Sequence, residues 1–135
     1  MSSSARLIVV DDDSFTRELY STILESEGYE VLMAKDGLEA LALLTEPLPD
    51  LIITDVHMPR MSGPELIATV RREFPQIRVL VISSDPDGQL PPDAAVDGLL
   101  RKAAFTPDQF RAKIRELLPG TGDRQRPSEP RSPAA

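Results

Sequence analysis

The 135-residue chain has no cysteine and no tryptophan, and its four phenylalanines and two tyrosines give an aromatic content of only 4%. Without thiols it forms no disulfide, no thiolate zinc site and no cysteine nucleophile, a composition that fits a reducing compartment. With so few rings, the core must be mainly aliphatic. Long apolar runs are missing as well: none approaches the ~18 residues of a membrane span. The opening Met1-Ser2-Ser3-Ser4-Ala5-Arg6 lacks the apolar stretch of a secretory signal. Positive charge is in deficit, since 15 Lys and Arg face 22 Asp and Glu for a net charge of −7. Such a balance repels phosphate backbones and anionic lipid. Together these absences predict a soluble cytoplasmic protein that binds neither nucleic acid nor membrane.

What is present is one domain's worth of alternating pattern. Short aliphatic runs recur at Arg6–Val10, Glu30–Ala34, Leu51–Thr54, Arg78–Ile82 and Gly98–Leu100. Runs that are apolar on successive residues suit strands covered on both faces, as in a parallel sheet. Between them the period lengthens to that of a helix, with Phe15, Leu19 and Ile23 as one apolar stripe and Leu38, Leu41 and Leu44 as the next. Gly28 is placed to end the first of these helices. Ser62-Gly63-Pro64-Glu65 and Thr106-Pro107-Asp108-Gln109 are capping boxes, the second flanked by Phe105 and Phe110 at the spacing of a hydrophobic staple. The alternation predicts an α/β doubly wound parallel sheet. Pro86, Gly88, Pro91 and Pro92 forbid a continuous fourth helix, so that element is expected to be truncated, with 85–92 an irregular, mobile loop. From Pro119 onward four of the 13 prolines crowd a segment with no apolar side chain larger than Ala. Residues 1–118 are therefore the expected domain, and 119–135 a disordered tail or the root of a linker.

Asp11, Asp12 and Asp13 stand at the end of the first strand and Asp55 at the end of the third. In an open parallel sheet ligands sit beyond the carboxyl ends of the strands, where the winding reverses. If the strand order is 2-1-3-4-5, Asp11, Asp12 and Asp55 converge there. Two carboxylates about 4 Å apart repel by roughly 4 kcal/mol at an effective dielectric near 20, so something must offset the charge. Mg²⁺ is the natural candidate, because it takes oxygen ligands and is commonly held by one or two carboxylates together with a phosphate. Asp13 reads instead as a helix cap. Ser83 ends the fourth strand and Lys102 follows the fifth, offering a hydroxyl and an ammonium to an anion in the same crevice.

The strings VVDDD at 9–13, DLIITDVHMPRMSG at 50–63, VLVISS at 79–84 and GLLRK at 98–102 resemble the receiver domain of bacterial two-component response regulators. The resemblance spans residues 5–118 and implies the flavodoxin-like receiver fold, five strands in the order 2-1-3-4-5. It implies that Asp55 is the phosphoacceptor and that Asp11, Asp12 and Asp55 hold Mg²⁺ with the backbone carbonyl of His57. It also implies that Ser83 and Lys102 complete the phosphoryl site. The donor would be a sensor histidine kinase or a histidine phosphotransfer protein. The chain is then expected to be a single-domain regulator, monomeric or weakly dimeric. It would signal by contact with a downstream protein and be no enzyme beyond its own phosphorylation and dephosphorylation.

The string departs from the family at two positions. Ala103 stands where proline usually follows the lysine, and Leu99 replaces a frequent aromatic at the switch position coupled to Ser83, so Leu99 is expected to contribute packing only. His57 and Asp85 flank the phosphoryl position by analogy and are candidates for tuning hydrolysis. Two rivals remain: a phosphorylation-independent interaction module that keeps the fold, and an aspartate-nucleophile phosphohydrolase that would carry phosphate on Asp11.

Overall fold

A computed structural model describes residues 5–45, 47–56, 58, 60–83, 96–102 and 104–118. Its strands are β1 (Arg6–Val10), β2 (Glu30–Ala34), β3 (Leu51–Asp55), β4 (Arg78–Ser83) and β5 (Gly98–Arg101). The helices among the described residues are α1 (Ser14–Ser26), α2 (Gly37–Ala42), α3 (Gly63–Glu73) and α4 (Pro107–Leu117). All four strand pairings are parallel and the order is β2-β1-β3-β4-β5, the flavodoxin-like arrangement expected from the sequence. The expected loop at 85–92 and tail at 119–135 lie outside the described residues.

The central strands are buried on both faces, which is why they read as unbroken aliphatic runs. Ile8, Val10, Ile52, Val79 and Val81 point to one face, where α2 and α3 add Ala40, Leu66, Ile67 and Val70. Leu7, Val9, Leu51, Ile53, Leu80 and Ile82 point to the other, where α1 and α4 add Tyr20, Leu24, Phe110 and Ile114. Each fully buried aliphatic side chain contributes about 1.5–3 kcal/mol. Phe110, wholly buried, gathers Tyr20 and Phe105 around it at centroid separations of 5.0 and 5.6 Å.

Both capping boxes form, Ser62 with Glu65 and Thr106 with Gln109. Gly28 terminates α1 at φ 92°. Its N–H reaches the Glu25 carbonyl and that of Tyr29 the Leu24 carbonyl, the paired bonds of a left-handed helix stop. The apolar stripe of α1 differs from the expected one. Phe15 is 74% exposed and Leu19 46%, while Tyr20 and Leu24 are buried. Two apolar rows at helical spacing compete on this helix, and the one with the ring that meets Phe110 faces the sheet. Helix α2 shows the same effect in miniature: Leu38 is 46% exposed, and Leu44, beyond the helix end, is buried.

Candidate phosphoryl and metal site

At the carboxyl ends of the strands, Asp11 is 2% exposed, Asp55 5% and Ser83 4%. Asp11 continues the line of β1, its N–H bonded to the Ala34 carbonyl of β2 at 3.1 Å. Its Oδ1 accepts the Asp13 N–H at 2.9 Å. Asp55 is the last residue of β3, and its Oδ1 accepts the Val56 N–H at 2.7 Å. Lys102 leaves β5 with its N–H on the Ser83 carbonyl at 2.7 Å. That ladder contact aims the side chain inward, and its Nζ lies 3.2 Å from Asp11 Oδ2 and 3.3 Å from Asp55 Oδ2. The ammonium reaches both carboxylates although alanine follows it.

Asp11, Asp12 and Asp55 each offer a carboxylate oxygen, and the three oxygens lie within 4.8 Å of one another. Three clustered carboxylates and the one ammonium that Asp11 and Asp55 share leave an excess of two negative charges. Burial raises the Asp11 pKa, only partly countered by the Asp13 amide and by Lys102. Burial would lower the Lys102 pKa, but the attraction of Asp11 and Asp55 outweighs it and holds the pKa above its ordinary value. An all-oxygen donor set with this charge fits a hard divalent ion such as Mg²⁺.

Asp13 lies outside the cluster as a helix cap. Its Oδ2 accepts the Thr16 N–H at 2.8 Å and the Thr16 hydroxyl at 2.6 Å, which hold its pKa low. Leu99 is half exposed, a departure from the packing role expected of it. It lies on β5, the short strand at the edge of the described sheet. His57 and Asp85 lie outside the described residues.

Two neighbours of the site escaped sequence reasoning. Arg17 Nη1 donates to the Asp11 carbonyl at 2.8 Å, fixing the peptide that carries Asp12. Asp36, 2% exposed, caps α2 through the Glu39 N–H at 2.8 Å. It also pairs with Arg60, whose Nη2 and Nε lie 2.6 and 2.8 Å from Oδ2. Asp36 ahead of Gly37 is a legible cap signal; its partner 24 residues away has none.

The family model described as the response regulator receiver domain matches residues 7–115. The response regulator MprA of a Mycobacterium species (strain KMS) is 35% identical over 128 residues, covering 93% of this chain and 55% of that protein. MprA of Mycobacterium tuberculosis (strain H37Ra) is 36% identical over 118 residues, covering 85% and 51%. The chain thus spans about half the length of the curated relatives it matches. Among solved structures, the chemotaxis response regulator CheY4 of Vibrio cholerae superposes with a TM-score of 0.78 at 31% identity, covering 86% of this chain and all of that one. The Thermotoga maritima response regulator TrrA, in complex with Mg²⁺ and BeF, gives 0.76 at 32% identity, covering 84% and 99%.

Proposed function

The chain belongs to the response-regulator receiver family, and from that premise we propose that residues 1–118 form a receiver domain phosphorylated on Asp55 by a sensor histidine kinase or a histidine phosphotransfer protein. The observation that carries the reading is the shared ammonium, Lys102 Nζ at 3.2 Å from Asp11 and 3.3 Å from Asp55.

A carboxylate oxygen of Asp55 attacks phosphorus in line with the bond to the donor imidazole. The P–N bond breaks, its electron pair stays on the imidazole nitrogen, and an aspartyl phosphate forms. Val56 N–H fixes one Asp55 oxygen at 2.7 Å, so the carboxylate meets the donor in one orientation. Lys102, already poised between the carboxylates, follows the developing charge onto the phosphoryl oxygens, and the Ser83 hydroxyl closes on them from the next strand end. Asp11, Asp12 and Asp55, with the backbone carbonyl of residue 57, would hold Mg²⁺, which when bound neutralises phosphoryl charge. The signal then passes to a downstream protein by contact, and the residues of the site serve only the domain's own phosphorylation and dephosphorylation.

Asp55→Asn tests the assignment. Incubated with Mg²⁺ and a phosphohistidine donor, the unmodified chain should gain one acid-stable, base-labile phosphate by mass spectrometry, and the variant none. Phosphate recovered on Asp11 would favour the hydrolase reading instead. Beryllofluoride that binds neither protein would favour the phosphorylation-independent module.

A further inference from the structure

Arg60 is the one non-glycine residue with a left-handed backbone among those described, at φ 69°. A side chain in that region is held there by its surroundings. On either side of it Met58 and Met61 pack against the α2/α3 core. The Arg60 guanidinium is engaged through both Nε and Nη2 on the buried Asp36 carboxylate. The same corner is closed twice more. Gly37 donates its N–H to the Met61 carbonyl at 3.3 Å, and a Cβ on Gly37 would stand 2.6 Å from Met61 Cγ. Beyond Met61 the loop folds back on the acceptor: Gly63 N–H bonds the Val56 carbonyl at 2.9 Å. A Cβ on Gly63 would collide with the Asp55 carbonyl oxygen. Val56 in turn donates to Asp55 Oδ1.

We propose that Arg60 is a positioning residue for the acceptor: clamped on Asp36, it holds the loop between Asp55 and α3 so that the Val56 amide presents the Asp55 carboxylate in its reactive orientation. The proposal rests on the reading of Asp55 as the phosphoacceptor. It separates two properties that usually move together. Arg60→Gly removes the left-handed penalty and the clamp at once, so relief of the backbone offsets part of the cost of leaving the buried Asp36 carboxylate without its charged donor, and the fold is kept while the loop gains freedom.

Beryllofluoride with Mg²⁺, titrated into the full chain, supplies the readout, with thermal melting alongside. Arg60→Gly should bind beryllofluoride about threefold to tenfold more weakly, with a Tm no lower than that of Asp36→Asn. Asp36→Asn, which keeps a capping side chain, should lose as much affinity. The double variant should be no weaker than either single one, because both act through one contact. Arg60→Lys, with a point charge in place of the fork, should fall between. Unchanged binding by Arg60→Gly, or additive losses in the double variant, overturns the proposal. Asp55→Asn in the same series keeps the two questions apart. If it still binds beryllofluoride, the acceptor reading fails, whereas if it alone loses binding, only the role of Arg60 fails.

Discussion

The two ends of the sheet handle charge in opposite ways. At the amino end each acidic group named here has its own donor. Glu30 pairs with Arg6 at 2.8 Å, Asp50 accepts the Arg6 N–H at 2.9 Å, and Asp97 takes the Arg71 guanidinium and the Val79 N–H. At the carboxyl end three carboxylates crowd together, and the two buried ones share Lys102. Matched charges brace the places where strands begin. Unmatched ones cost stability in the bare protein, a cost that the ion proposed above would offset.

The sharpest way to break the contrast is to remove the shared cation. In the metal-free protein Lys102→Met should cost about 1–3 kcal/mol, because two buried carboxylates lose a charged donor. Thermal melting should also show a larger Mg²⁺-induced rise than in the unmodified chain, and an equal rise would mean that Lys102 and the ion do not serve the same carboxylates.

Relieving the crowding has the opposite sign. Asp12 is exposed, so Asp12→Asn should raise metal-free stability by about 1 kcal/mol, the Coulomb energy of two charges about 4 Å apart in water. It should also blunt the stabilisation by millimolar Mg²⁺. A lower Tm in the variant would refute the repulsion.

Asp36 is the matched exception at this end, and pH exposes it. The Glu39 N–H, outweighing burial, and then Arg60 hold its pKa below 3.8. A depressed folded value means the contribution is complete above 3.8 and disappears as pH falls through the folded pKa. The unmodified protein should therefore melt above Asp36→Asn at neutral pH, with the gap closing only below pH 3.8. Closure at higher pH would place the stabilising charge elsewhere.

At the amino end the expected effect is smallest. Arg6→Ala breaks a pair whose glutamate side chain is 51% exposed. Urea denaturation should register a loss within about 0–1 kcal/mol. A loss as large as that of Lys102→Met would erase the distinction between the two ends.

Much of this contrast was legible beforehand, and the reason is range. Asp11, Asp12, Asp55, Ser83 and Lys102 were readable because each sits at a strand end, and strands announce themselves over a few residues. Parallel topology then brings their carboxyl ends together without further information. Both capping boxes and the Gly28 stop were legible because cap and partner lie three to five residues apart. The face of α1 was not. Phe15 and Leu19 have the same spacing as Tyr20 and Leu24, and periodicity cannot say which row meets the sheet.

By itself, then, the sequence determined the succession of strands and helices, the aliphatic core and the acidic strand ends, all carried by neighbours along the chain. Only the tertiary structure decided that Tyr20 rather than Phe15 turns inward, since that depends on where α4 places Phe110. Only it set Lys102 between Asp11 and Asp55, through the β4–β5 ladder. Only it joined Arg60 to Asp36. These contacts link residues distant in sequence, and their geometry is settled by packing the sheet and helices against one another, a constraint that no local pattern contains.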